Sequence, residues 1–197
     1  TIDINIQSIV YHELDKAIKE YKAHSGSVVV IEPNSGEILA MVNYPSFNPL
    51  DRRNLDFSAL RNRAIFDVFE PGSVLKPLAM SAILESDPSL YSKKINTSPG
   101  WIDYEGFKTR DFKDYGLLTA TEIISFSSNV GMIELCKDQN SDTLLDYYKK
   151  FGIGRYPTSI MLPSSEGYLP HKSQFTPRDK VSSVSYTHLT LPTRTHV

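Results

Sequence analysis

One helical turn separates the two side chains that make the first case for chemistry. In Glu70-Pro71-Gly72-Ser73-Val74-Leu75-Lys76 a serine precedes a lysine by three positions, a spacing that sets both on one face of a helix. A serine hydroxyl is a poor nucleophile until a base takes its proton, and a lysine can do so only as the neutral amine. Moving a lysine from its reference pKa of about 10.4 to near 7 costs on the order of 4 to 5 kcal/mol, which desolvation or a nearby cation must supply. A helix start at Ser73 would add N–H groups and positive dipole where an oxyanion forms. The same two residues also read as a helix cap followed by a solvated surface charge.

Ser127-Ser128-Asn129 strengthens the chemical reading. A second hydroxyl can relay a proton between the lysine and a leaving amine, and an asparagine can bond both the lysine and a substrate amide. These residues lie between two helical segments, where a loop would present them. Helix capping is the competing reading, because Asn129 directly precedes Val130-Gly131-Met132-Ile133 and asparagine is a preferred cap. Ser46-Phe47-Asn48 has the same spacing but precedes Ser73 and sits between prolines.

The elements that must hold these residues follow from periodicity. Ile6, Val10, Leu14, Ala17, Ile18 and Tyr21 recur at helical steps opposite Glu13, Lys16, Lys19 and Glu20, which predicts an amphipathic helix. Residues 27–32 and 37–43 flank Pro33-Asn34-Ser35-Gly36, a β-hairpin signature. Residues 44–62 read as extended loop, and a helix is expected from close to Ser73, with Pro77 in its first turn. Residues 87–117 look irregular. Helical spacing returns at 119–125, 130–137 and 141–151, closed by Gly152-Ile153-Gly154. Strand, hairpin and a run of helices make an α+β chain with a helical lobe and few strands.

Composition bounds the rest. With 40% hydrophobic and 22% charged residues, the chain can support a packed core and is not intrinsically disordered. A net charge of -2 gives no basic field for nucleic acid, which is an unexpected partner. Its longest aliphatic run, 28–31, is far shorter than the roughly 20 residues that cross a bilayer. A single cysteine, Cys136, excludes an internal disulfide, and His12, His24 and His171 lack metal-ligand spacing, so neither metal nor cofactor is expected.

Ser-x-x-Lys followed by Ser-x-Asn is the motif order of penicillin-binding proteins and serine β-lactamases. Gly36-Glu37-Ile38-Leu39-Ala40-Met41, Tyr44-Pro45-Ser46-Phe47-Asn48-Pro49, Arg61-Asn62-Arg63-Ala64, Phe69-Glu70-Pro71-Gly72-Ser73 and Ser127-Ser128-Asn129-Val130-Gly131 narrow it. Over residues 1–182 the chain resembles the class B penicillin-binding proteins, above all the division-specific peptidoglycan transpeptidases of Gram-negative bacteria. The resemblance implies a penicillin-binding/serine β-lactamase-like transpeptidase fold, here incomplete, with the first hairpin and helical lobe but without later strands. It also implies Ser73 as acylated nucleophile, Lys76 as general base, Ser127 as proton relay and Asn129 as substrate-amide contact. Peptidoglycan stem peptides and β-lactam antibiotics are the implied ligands and other division proteins the implied partners. The implied location is the periplasm, behind an inner-membrane anchor lying outside this sequence. A β-lactamase or penicillin sensor, and an inactive scaffold that binds division proteins, are the alternatives.

Two departures stand against this pattern. No Lys-Thr-Gly or Lys-Ser-Gly occurs, so the family's third motif is missing; Lys108-Thr109-Arg110 has no glycine. Residues 184–193, Val-Ser-Tyr-Thr-His-Leu-Thr-Leu-Pro-Thr, are encodable in one frame by a transposase adapter used in sequencing libraries. Residues 183–197 are therefore expected to be a non-native tail, although their composition also suits a strand. Glu166 lacks the Glu-x-x-Leu-Asn setting of a deacylating glutamate and reads as loop. Trp101, Tyr104 and Phe107 read as packing residues rather than as the floor of a cleft.

Overall fold

Local sequence explains where each element begins. Asp3 caps the first helix, its carboxylate accepting from the backbone N–H groups of Asn5 and Ile6, and α1 (Ile4–Tyr21) ends where Lys22 turns left-handed. The computed structural model describes residues 2–51, 56–154 and 167–185. These fall into two compact units, one ending at Asp67 and the other beginning at Val68.

In the first unit β1 (Gly26–Ile31) and β2 (Ile38–Tyr44) form the expected antiparallel hairpin around Pro33-Asn34-Ser35-Gly36, with Gly36 at positive φ. The second edge of β2 is occupied by α1. Asp3 N–H donates to Leu39 O at 2.8 Å, while the Gln7 side-chain amide both donates to Met41 O (3.0 Å) and accepts from Met41 N–H (2.9 Å). A side-chain amide thus imitates a neighbouring strand and blunts an edge that would otherwise pair with other chains. A methyl group at Gly26 would press to 3.1 Å from Leu14 and Ile18, so glycine permits this close approach of helix and strand. Tyr44 still belongs to β2, and residues 45–62 are loop apart from one 3-10 turn, Phe57–Leu60, among those described. Asn43 closes the unit by accepting from Ala64 N–H in α2 (Arg63–Phe66) and donating to Asn62 Oδ1.

The second unit is helical at its centre. A 3-10 turn, Gly72–Leu75, runs into α3 (Lys76–Ser86), so the helix expected near Ser73 starts in tight 3-10 geometry and opens to α at Lys76. Behind it come α4 (Ala120–Ser125), α5 (Asn129–Cys136), α6 (Ser141–Lys150) and α7 (Pro177–Ser185). Leu75, Ala79, Ile83, Ile123, Met132, Ile133, Leu145 and Val181 belong to one shared apolar core. Tyr148 is fully buried there and donates its hydroxyl to Ser183 O at 3.1 Å.

Residues 87–117 are more regular than their sequence suggests. β3 (Ile95–Asn96) pairs with β6 (Leu117–Leu118), and β4 (Trp101–Tyr104) pairs with β5 (Phe107–Arg110) across a turn in which Glu105 and Gly106 both take positive φ. That is the geometry tight hairpins favour, reached without the usual Asn-Gly or Asp-Gly. Tyr104 and Phe107 pack against the core, as expected, but Trp101 stays 43% exposed with the Lys108 ammonium 4.1 Å from its ring centre. Ser183 to Ser185 close α7 as buried residues; 186–197 and Glu166 lie outside the described residues.

Candidate active site

The lysine is the centre of the arrangement. Lys76, in the first turn of α3, is 2% exposed, which removes the reading of a solvated surface charge. Its Nζ donates to Ser127 O at 2.5 Å, to Ser127 Oγ at 3.0 Å and to Asn129 Oδ1 at 2.7 Å. An ammonium has three protons, and three acceptors meet them. Two of those acceptors are carbonyl-type oxygens that can only accept. The third, the Ser127 hydroxyl, can also donate, so it can reverse its bond and satisfy a neutral amine with little motion of heavy atoms. Burial brings the Lys76 pKa down to about 8, against the opposing pull of the Asp111 charge, so the neutral amine is accessible near physiological pH.

Ser127 is held in an unusual backbone conformation for a serine. It follows α4 at φ 52, with its N–H donating to Ile124 O and the next N–H, of Ser128, donating to Ile123 O. This is the Schellman closure of a helix, whose left-handed position is ordinarily glycine. A serine in that place turns its carbonyl and hydroxyl together toward Lys76.

Asn129 is the first residue of α5 rather than part of a loop or a cap. The cap is Ser128, whose Oγ accepts from Gly131 N–H at 2.9 Å, and this leaves the Asn129 side chain free to reach Lys76 with Oδ1 and Arg110 O with Nδ2 (3.0 Å). Ser73 sits one turn before Lys76 and its side chain caps neither the 3-10 turn nor α3. It is exposed, and none of the three Nζ bonds goes to its hydroxyl. The fold thus joins Lys76, Ser127 and Asn129 directly and leaves Ser73 on the adjoining open turn.

Sequence reasoning missed Asp111. Its carboxylate accepts from Ser128 Oγ (2.5 Å), Asn129 N–H (2.5 Å) and Val130 N–H (3.0 Å), and its own N–H donates to Gly100 O. Cys136 is buried, with its thiol pushed up to about 12 by desolvation, and is no rival nucleophile.

The penicillin binding protein transpeptidase domain family matches residues 26–191, and the chain belongs to it, within the class B branch. It is 39% identical over 171 residues to the probable peptidoglycan D,D-transpeptidase PbpC of Pseudomonas aeruginosa, covering 86% of this chain and 30% of that protein. Against the peptidoglycan D,D-transpeptidase FtsI of Escherichia coli the identity is 38% over 175 residues, covering 89% of this chain and 29% of that protein. Among solved structures, a peptidoglycan glycosyltransferase from Burkholderia ambifaria superposes with a TM-score of 0.83 at 29% identity, over 94% of this chain and 55% of that one. The apo transpeptidase domain of Burkholderia pseudomallei penicillin-binding protein 3 gives 0.82 at 29% identity, over 94% and 52%. The chain therefore spans under a third of the curated relatives' length and about half of the structural ones. Among the described residues no helix is long and apolar enough to cross a membrane.

Proposed function

We propose that this chain is the nucleophile-bearing part of a longer peptidoglycan D,D-transpeptidase that works through an acyl-enzyme on Ser73. The observation that carries the reading is the buried Lys76, bonded to Ser127 and Asn129 one turn after an exposed serine, in a chain of the transpeptidase family. In the proposed cycle the Ser73 hydroxyl attacks the carbonyl of the terminal D-Ala-D-Ala bond of a stem peptide. Lys76, as the neutral amine, takes the hydroxyl proton, and the Ser127 hydroxyl passes a proton on to the departing amine as the C–N bond breaks. An amine of a neighbouring stem then displaces Ser73, giving its proton back along the same path. Asn129 holds a substrate amide. β-Lactams acylate Ser73 in the same way and remain there.

Septal crosslinking, other division proteins as partners and a periplasmic position behind an inner-membrane anchor belong to the same proposal, supported by the motif order and by 38% identity to FtsI. Residues 183–197 are proposed to be foreign to the native gene, and the third motif to lie in native sequence that this chain does not carry. The resemblance implies that this motif lies on a strand lining the substrate cleft and supplies the second oxyanion N–H, and loss of one such donor typically costs about 10²- to 10³-fold in rate. The 197-residue chain alone is therefore expected to give no specific penicillin labelling, whereas the full-length protein, continued through its Lys-Thr-Gly strand, is labelled.

The test is covalent labelling of the full-length protein with a fluorescent penicillin. Wild type should carry one label, located on Ser73 by peptide mass, and Ser73→Ala none. A folded Ser73→Ala protein that labels undiminished would falsify the assignment. The lifetime of the label separates a transpeptidase, which holds it, from a β-lactamase, which sheds it.

A further inference from the structure

The first three N–H groups of a helix have no partner within it, and in α5 all three are satisfied from outside. Gly131 N–H goes to Ser128 Oγ, while Asn129 N–H and Val130 N–H both go to one oxygen of Asp111. The other Asp111 oxygen accepts the Ser128 hydroxyl proton, which turns that serine's lone pair toward Gly131. Two chain neighbours extend the clamp, because Arg110 O accepts from Asn129 Nδ2 and Asp111 N–H is fixed on Gly100 O. Gly100 has no room for a side chain, since a methyl there would meet Asp114 N at 2.9 Å. Arg110 and Asp111 thus hold the main chain and side chain of Asn129 at once.

We propose that Asp111 is a positioning residue of the Lys76 site, aiming Asn129 by fixing the first turn of α5 and standing as the counter-charge to Lys76. This rests on the acyl-enzyme reading above. The groups that Nζ bonds at the α4–α5 junction, Ser127 and Asn129, are neutral. Asp111, from the segment after β5, stands one residue behind them, since its carboxylate accepts the N–H of the same Asn129 whose Oδ1 accepts from Nζ, and its charge acts on Lys76 from there. A negative neighbour favours the ammonium, and burial favours the amine. Asp111 therefore improves the aim of Asn129 and delays the loss of the Lys76 proton, two effects of opposite sign on the rate near neutral pH.

That opposition makes the role separable from plain structural support. Asp111→Asn retains an oxygen for the two backbone N–H groups and removes the charge; Asp111→Glu retains the charge and displaces it by one methylene. The measurement is the rate of acylation by fluorescent penicillin against pH in the full-length protein, with thermal melting recorded alongside. For Asp111→Asn the acid limb, which reports deprotonation of Lys76, should move to lower pH. For Asp111→Glu the limb should stay at its wild-type pH while the plateau falls on the order of 10- to 100-fold, the scale of a small misplacement of a reacting group. An asparagine variant with the wild-type limb overturns the counter-charge, and a glutamate variant with the wild-type plateau overturns the positioning. Should the asparagine variant not fold, the glutamate plateau still decides the positioning. Ser73→Ala is run in parallel. If it still labels, the acyl-enzyme reading fails; if it does not label while both Asp111 variants behave as wild type, the Asp111 proposal fails alone.

Discussion

The second unit contains two helix starts built in opposite ways. At α5 each of the first three N–H groups is taken, two by Asp111 and one by Ser128. At α3 no side chain caps the helix; a 3-10 turn with Gly72 at positive φ feeds it, and Ser73 lies exposed on that turn. The closed start uses its polar groups on itself and so can hold one side chain, Asn129, in a fixed direction. The open start leaves its hydroxyl facing solvent, where a substrate carbonyl could meet it. Lys76 belongs to the open helix but spends all three protons on residues at or just before the closed one.

The sharpest way to break this comparison is Lys76→Arg. A guanidinium keeps the charge and the donors but cannot accept a proton, so acylation should fall on the order of 10²- to 10⁴-fold, the usual range of a general base. Near-wild-type acylation by the arginine variant would make Lys76 an electrostatic group and put the base elsewhere. Ser127→Gly comes next. It removes the hydroxyl that can reverse its bond yet suits the left-handed position, so acylation should drop about 10²-fold while the melting temperature stays at or above that of wild type. If the glycine variant acylates normally, the relay does not run through Ser127.

A smaller effect is expected from pH. With Lys76 near a pKa of about 8, only the amine form acts, so the rate should rise with pH and level off above that value. One unit below, the active fraction is about one tenth. A profile flat from pH 6 to 9 would mean that deprotonation of Lys76 does not limit acylation. Smallest is the contrast in stability between the two serines at the two helix starts. Ser128→Ala removes a cap and the hydroxyl bond to Asp111 and should cost at least about 1 kcal/mol, whereas Ser73→Ala removes no cap and should melt like wild type. Equal losses in denaturant titrations would erase the distinction between the closed and open starts.

How far the sequence anticipates this site depends on the distance over which each residue acts. Ser73 and Lys76 are one turn apart, and Pro71-Gly72 and Pro77 mark the helix start locally, so the pair is legible. Pro33-Asn34-Ser35-Gly36 makes the first hairpin legible for the same reason. The burial of Lys76 is not, because its partners lie some fifty positions away. Asp111 hides in Arg110-Asp111-Phe112-Lys113-Asp114, a run whose alternating charges resemble any solvated loop, and only the fold brings it to α5. β3 and β6 are two residues each and carry no alternation to detect, and Glu105-Gly106 is an uncommon turn pair. The sequence puts Asn129 one position too early relative to its helix, since either Ser128 or Asn129 can serve as the cap and only the fold chooses Ser128.

At the far end of α5 stands Lys180. It is 5% exposed, and its Nζ donates to Lys137 O at 2.8 Å and to Gln139 O at 2.5 Å, just past the last turn of that helix. An anion at the amino end and a cation at the carboxyl end oppose the two poles of the helix dipole, which spans only about 12 Å. The helix aligns its own peptide dipoles and the two end charges stabilise that alignment before any ligand arrives, so the amide of Asn129 is held in an environment already set. The orientational cost is met during folding rather than at encounter. The consequence reaches to α7: a chain cut before Lys180 would keep every motif residue in its sequence and lose this cation together with Val181 and Val184 from the core.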